Sequence, residues 1–185
     1  IEEYTRLPDV LTVEECSEDQ NTVRELFVRA LNIALDELTA MRMREGESLK
    51  HDMLGKLDTI ELLRGQIEER APYVIEEYRE KLSQRLSALL SGDVDEARFM
   101  TEVAIFADRA AIDEELVRLT SHIAQLRAAT GMENPVGRKL DFLVQELNRE
   151  FNTIGSKASD AQIAQCVVEA KGEIEKLREQ VQNIE

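Results

Sequence analysis

The feature that most constrains this chain is the length over which its apolar residues keep a helical step. From about Asn21 to Arg70, Val23, Phe27, Ala30, Ala34, Leu38 and Met41 recur three or four residues apart, as do Leu57, Ile60, Leu63 and Ile67, with acids and bases filling the other faces. If continuous, roughly fifty residues make a rod of about 75 Å. A single helix cannot bury its own stripe, so such an arm needs a partner helix or another subunit. Composition agrees: aromatic content is 4%, Gly and Pro are scarce, and the abundant Leu, Glu, Ala and Arg lose little rotamer freedom in a helix.

Punctuation divides the rest. Pro72 is expected to end the arm, because its ring and missing N–H disrupt a helix interior. Tyr73 to Leu90 reads as a second helical stretch, broken by Ser91-Gly92-Asp93. Asp93 and Glu96 resemble a capping box for a long helix reaching about Ala129, with Gly131 at its end. Asn134-Pro135 is an N-cap and N1 pair for a helix to about Thr153 that closes at Gly155. Ser159 and Gln162 form a capping box for a last helix running nearly to Glu185. Only the first dozen residues hint at a period of two. The run from Ile1 to Leu11 reads as a strand or loop arriving from elsewhere, and the expectation is that an N-terminal portion is missing. The expected fold is all-α, with long antiparallel helices forming an extended arm, a compact C-terminal helical bundle, and a short strand or loop remnant at the N-terminus. By residue number, 1–20 is the remnant and linker, 21–92 the arm, and 93–185 the C-terminal domain with a polar motif.

No apolar run is long enough to span a bilayer, and no basic segment followed by an apolar one marks a signal peptide. Cys16 and Cys166 lie far apart and make no ligand-like spacing, so both read as reduced structural residues of a cytoplasmic protein. The net charge of -15 alone argues against a nucleic-acid partner. The charge is uneven, however. Between Gly137 and Lys157, four bases (Arg138, Lys139, Arg149, Lys157) face three acids (Asp141, Glu146, Glu150), leaving that window at +1 and the remainder at -16.

This window is the most unusual part of the chain. Leu140, Leu143, Val144, Leu147, Phe151 and Ile154 give it a buried face. Asn148 and Asn152 share a side at i,i+4, and so do Glu146 and Glu150, with Arg149 beside both. Asn is a mediocre helix former, so two of them cost stability unless they have hydrogen-bonding work. One reading is a solvated face with local ion pairs, each worth about 0.3–0.5 kcal/mol. The other is a metal-binding carboxylate pair flanked by phosphate-gripping Arg and Lys. A second stripe holds Glu115, Arg118 and His122; a lone helical His is usually an ordinary polar residue, and His51 carries a weaker signal still. The chain has no Walker-type phosphate loop, no dinucleotide fingerprint, no serine nucleophile elbow and no Cys/His zinc spacing. With two histidines in distant helices, carboxylate–metal chemistry is easier to build than acid–base chemistry by a histidine pair.

Several motifs resemble the YicC/YloC family of bacterial proteins: Met41-Arg-x-x-Glu-Gly46, Arg70-Ala-Pro72, Ile112-Asp-Glu-Glu-Leu-Val-Arg-Leu-x-Ser-His122 and, above all, the stretch Gly137 to Lys157. The end Glu179-Gln-Val-Gln-Asn-Ile-Glu185 is also similar, and Leu7-Pro8-x-Val10-Leu11 looks like the exit from that family's N-terminal domain. The family's opening Ser-Met-Thr-Gly-Phe-Gly segment is not found here, and Phe151 stands where a small residue is expected. The resemblance implies a single-strand-specific endoribonuclease that needs a divalent cation, Mn2+ or Mg2+, with a role in small-RNA turnover and a ring-like homo-oligomer, a hexamer.

On that resemblance, Glu146 and Glu150, with Glu115, Asp113 or His122, are expected to hold one or two hard cations. Glu146, Glu150 and His122 are the catalytic candidates, and Glu115, Glu146 and Glu150 the metal candidates. Arg118, Arg138, Lys139, Arg149 and Lys157 would position the RNA backbone. Asn148 and Asn152 would hold a water on the cation or a 2′-hydroxyl, the group that separates RNA from DNA. The alternative from another class is an oligomeric RNA-binding adaptor that recruits a separate nuclease. A plain coiled-coil scaffold is the third option, and the asparagine-rich helix face counts against it.

Overall fold

The computed structural model describes residues 19–89, 95–132, 136–182 and 184. Within them are five α-helices and no strand: α1 (Gln20–Leu89), α2 (Glu96–Ala110), α3 (Asp113–Ala129), α4 (Gly137–Lys157) and α5 (Ala161–Gln182). The all-α class agrees with the sequence. The N-terminal remnant, Cys16, the Ser91-Gly92-Asp93 break and the Asn134-Pro135 pair lie outside the described residues.

Two units are distinguished, residues 1–46 and 47–185. In the first, Asp19 starts α1: its carboxylate accepts from the Asn21 N–H at 3.1 Å and the Thr22 hydroxyl at 2.9 Å. The Thr22 bond, helped by Asn21, holds the Asp19 carboxyl below its usual value. From here to Gly46 every described residue is exposed, including Phe27 and Met43.

In the second unit, α1 buries Met53, Leu57, Ile60, Leu63, Ile67 and Val74 against one core shared with α3, α4 and α5. α1 runs through Pro72 without ending, which corrects the expected break and joins the two stretches on either side of it. Packing explains the continuity. A proline inside a helix costs about 3 kcal/mol, while each buried aliphatic side chain returns roughly 1.5–3 kcal/mol. Ile67 and Val74 enter the core on the two sides of Pro72. Arg70 clamps the same turn, pairing with Glu77 at 2.6 Å and with Asp160, just ahead of α5, at 2.8 Å.

The long helix expected to reach Ala129 is instead two, broken at Ala111–Ile112. Its cap is Asp95, not Asp93: Asp95 accepts from the N–H groups of Ala97 and Arg98. Ala111 is extended, and Ile112, 2% exposed, turns into the core. The carbonyl freed at Ala111 accepts from Lys157 Nζ at 3.1 Å, so a distant side chain satisfies the break. α3 then begins with Asp113, Glu114 and Glu115 against its positive end.

α4 likewise continues past the expected stop at Gly155 to Lys157. Gly155 is there for closeness, because a Cβ would meet Val167 Cγ1 of α5 at 3.2 Å. α5 is capped by Asp160, whose carboxylate accepts from Gln162 and Ile163 N–H, replacing the expected Ser159–Gln162 box. α4 thus packs against α3 on one side and α5 on the other.

Candidate metal centre and nucleic-acid interface

α4 buries one apolar stripe made of Leu140, Leu143, Val144, Leu147, Phe151 and Ile154. At about 100° per residue, two polar flanks border that stripe. Glu146, Glu150 and Lys157 fall on the flank towards α3, and Gln145, Asn148, Arg149, Asn152 and Ser156 on the flank towards α5.

On the first flank, one ligand atom each from His122, Glu146 and Glu150 lie within 4.8 Å of one another. Glu150 is 4% exposed, and His122 and Glu146 are half-buried. His122 sits on α3, one turn beyond Arg118, so α3–α4 packing brings it to the carboxylate pair. Its Nδ1 is buried with no hydrogen-bond partner. A buried polar atom costs free energy unless it is paired. An imidazole grouped with two carboxylates is a donor set that suits a borderline-to-hard divalent cation. The residues therefore fit such an ion.

Arg118 lies across this centre. Its Nε is 3.0 Å from Glu150 Oε1, an ion pair without a well-directed hydrogen bond. Its terminal nitrogens reach Glu114 at 2.7 Å and Glu115 at 3.4 Å. Glu115, 2% exposed, also pairs with Lys157 at 2.8 Å and keeps one oxygen, Oε2, without a partner. Burial acts to raise the Glu115 pKa, but the Lys157 hydrogen bond, its own backbone and the charges of Lys157 and Arg118 outweigh burial, leaving the carboxyl below its usual value. For Arg118, burial acts to lower the pKa, and the carboxylates of Glu150, Glu114 and Glu115 raise it beyond that.

The other flank is an open groove of about 480 Å³ between α4 and α5, lined by Asn148, Arg149, Asn152, Ser156 and Arg178 among others, with no acidic side chain in its lining. Asn152 Nδ2 donates to Asn148 Oδ1 at 3.4 Å, and Lys171 Nζ donates to Asn152 Oδ1 at 2.9 Å. Arg149 approaches Glu146 at 3.7 Å.

The structure therefore brings Glu146, Glu150 and His122 together and puts Arg118 on Glu150. Glu115 stands apart from that group as the partner of Lys157 and Arg118. Asp113 is exposed at the start of α3, and Arg138 and Lys139 are exposed in the first turn of α4. Asn148 and Asn152 sit on the groove flank. Sequence reasoning missed Lys171 and Arg178 of α5 and the tie between Lys157 and the α2–α3 break. The glycine at 155, spaced for close approach to a following helix, was the available hint that α5 borders the motif.

Known proteins match this chain in two parts. A family model described as "Endoribonuclease YicC-like, C-terminal" matches residues 67–185. Another, "Endoribonuclease YicC-like, N-terminal region", matches residues 1–51. The expectation that the N-terminal domain is missing is corrected by this second match: sequence of that region is present. A protein of Clostridioides difficile (strain 630) named "Probable endoribonuclease YicC" is 47% identical over 185 residues, covering 97% of this chain and 62% of the relative. One of the same name from Haemophilus influenzae (strain ATCC 51907 / DSM 11121 / KW20 / Rd) is 38% identical over 181 residues, with the same coverage of 97% and 62%. The chain thus spans 62% of the length of these two relatives.

Proposed function

The chain belongs to the YicC-like endoribonuclease family, and from that premise we propose that it serves a divalent-metal-dependent endoribonuclease acting on single-stranded RNA, small RNAs among its substrates. The observation that carries this reading is the convergence of His122, Glu146 and Glu150, in a place where one imidazole nitrogen of His122 is buried without a hydrogen-bond partner. These three residues would hold the cation, Mn2+ or Mg2+. When bound, the cation supplies Lewis acidity, lowering the pKa of water and offsetting charge on the scissile phosphate.

The protein's own side chains do the rest. Glu146 and Glu150 provide anionic oxygens, and His122 a nitrogen held by the α3–α4 packing. Arg118, 42% exposed and paired with Glu150, would offer its guanidinium to a phosphate brought to the centre. Arg138, Lys139, Arg149 and Arg178 add positive charge along α4 and its groove, which offsets the repulsion of RNA by a chain of net charge -15. Asn148 and Asn152 offer amides to bases or sugar hydroxyls of an unpaired strand. The apolar residues left exposed before Gly46, such as Phe27 and Met43, support assembly into a homo-oligomer.

No helix among the described residues is long and apolar enough to cross a membrane, and the proposed setting is the cytoplasm. The test uses the full-length protein: Mn2+ binding by electron paramagnetic resonance, and cleavage of a single-stranded RNA with Mn2+ or chelator. Glu150→Gln and His122→Ala are expected to lose Mn2+ binding and at least about 100-fold in rate. Wild-type rates in both variants would show that cleavage arises elsewhere, as in an adaptor carrying a separate nuclease.

A further inference from the structure

Glu150 is a nearly buried carboxylate, and a charge so placed needs a counter-ion. Arg118 supplies it, but loosely: its Nε comes to 3.0 Å without a well-directed hydrogen bond. The two partners are unequally placed. Arg118 already touches Glu114 at 2.7 Å and Glu115 at 3.4 Å, whereas Glu150 pairs with no other base among the described residues. The guanidinium therefore has somewhere to go, and the carboxylate it would leave belongs to the group that fits a cation. Glu115 is suited to receive it. That carboxylate is fixed by Lys157 at 2.8 Å and still has a buried oxygen without a partner.

We propose that Arg118 is a built-in competitor for the divalent cation: it holds Glu150 when the site is metal-free and withdraws onto Glu114 and Glu115 when a cation is bound. Arg118 and Glu115 are then positioning residues that set metal affinity in opposite directions without ligating metal. Removing the arginine charge removes both the competition for Glu150 and the repulsion of a dication. Removing the Glu115 charge takes away the acceptor and leaves Arg118 more firmly on Glu150. Because Arg118 is 42% exposed, solvent screens the effect, and changes of about three- to tenfold are expected.

This inference rests on the proposed metal site, and the experiment separates the two. Mn2+ is titrated into full-length wild type, Arg118→Gln, Arg118→Lys, Glu115→Gln and the Arg118→Gln/Glu115→Gln double variant, with free Mn2+ read by electron paramagnetic resonance and folding by helical circular dichroism. Arg118→Gln is expected to bind Mn2+ about three- to tenfold more tightly, Arg118→Lys to stay near wild type, and Glu115→Gln to bind more weakly. On the Arg118→Gln background the Glu115 change should have little further effect, since its action runs through the arginine. Tight wild-type binding with no gain in Arg118→Gln overturns the competitor role while leaving the metal site standing. A full loss from Glu115→Gln on the Arg118→Gln background makes Glu115 a ligand and overturns it as well. No Mn2+ binding by wild type overturns both. A variant that merely misfolds would lose affinity, so a gain cannot come from structural damage.

Discussion

The two polar flanks of α4 are interleaved in sequence and lie roughly 160° apart around the helix. Glu146 and Glu150 face α3, where Glu150 and Glu115 are almost wholly buried and are paired with Arg118 and Lys157. Asn148 and Asn152 face a groove towards α5 that is open to water and lined by amides, hydroxyls and guanidinium groups. The contrast shows how one amphipathic helix can serve two kinds of chemistry. Burying charge demands that each buried carboxylate keep an opposite charge beside it, so leaving one without a partner is costly. The groove buries no charge, so its members can be exchanged at small cost and can meet a ligand whose position varies.

The largest effect should come from breaking this charge network where it also supports the backbone. Lys157→Met leaves Glu115 with only the longer pairing to Arg118 and strips the Ala111 carbonyl of its donor at the α2–α3 break. Breaking a buried pair costs up to about 3–5 kcal/mol. The lysine end is 35% exposed, so water offsets part of this, and about 2–3 kcal/mol is expected by urea unfolding at neutral pH. Asn152→Ala in the groove should change stability by no more than about 0.5 kcal/mol. Equal losses from the two substitutions would erase the distinction between the flanks.

A smaller effect is the pH dependence of the same network. Burial acts to raise the Glu115 pKa, but the Lys157 hydrogen bond and the lysine and arginine charges outweigh it and hold the carboxyl below its usual value, and Asp160 is held below its own chiefly through the Arg70 hydrogen bond. In the window between the folded and unfolded values, the unfolded chain binds more protons, so stability falls as pH falls. The contribution is present above the unfolded values and is lost as pH drops through each folded value. Unfolding free energy followed from pH 6 to pH 3 should show this slope. Lys157→Met should flatten the part due to Glu115 and leave the Asp160 part in place. An unchanged slope would mean that Lys157 does not set the Glu115 charge.

Much of this was legible in residue spacing, and the exceptions share a cause. The helical class, the buried stripe of α4 and the pairing of Glu146 with Glu150 follow from three- and four-residue steps. That Glu146 and Asn148 diverge follows from the same step, although crowding in sequence suggests a single shared site. What spacing could not show is decided by distant residues. Pro72 stays helical because Ile67, Val74 and the Arg70 clamp hold the turn, and the chain breaks at Ala111, with no Gly or Pro there, because Ile112 enters the core and Lys157 takes the carbonyl. The caps at Asp95 and Asp160 were each misplaced by one or two residues, since neighbouring Asp and Ser side chains offer the same chemistry and only backbone geometry chooses. His122 is a candidate by resemblance alone, and its approach to the carboxylate pair follows only from the packing of α3 against α4.

The smallest and most selective effect belongs to the groove. If Arg149 and Arg178 track an RNA backbone, each meets phosphate as a point of positive charge, and neither is needed for the fold: their side chains are 74% and 45% exposed. Arg149→Ala and Arg178→Ala should therefore raise KM for a single-stranded RNA by roughly two- to tenfold each, leave kcat near wild type, and keep stability within about 0.5 kcal/mol. The sharper readout is salt. Removing one arginine–phosphate pairing should reduce the slope of log binding constant against log salt by about 0.7 for a single strand. A change in kcat with an unaltered salt slope would place these arginines in the reaction itself and tie the groove to the carboxylate flank, whereas no change in either measure would leave the groove without a role in RNA binding.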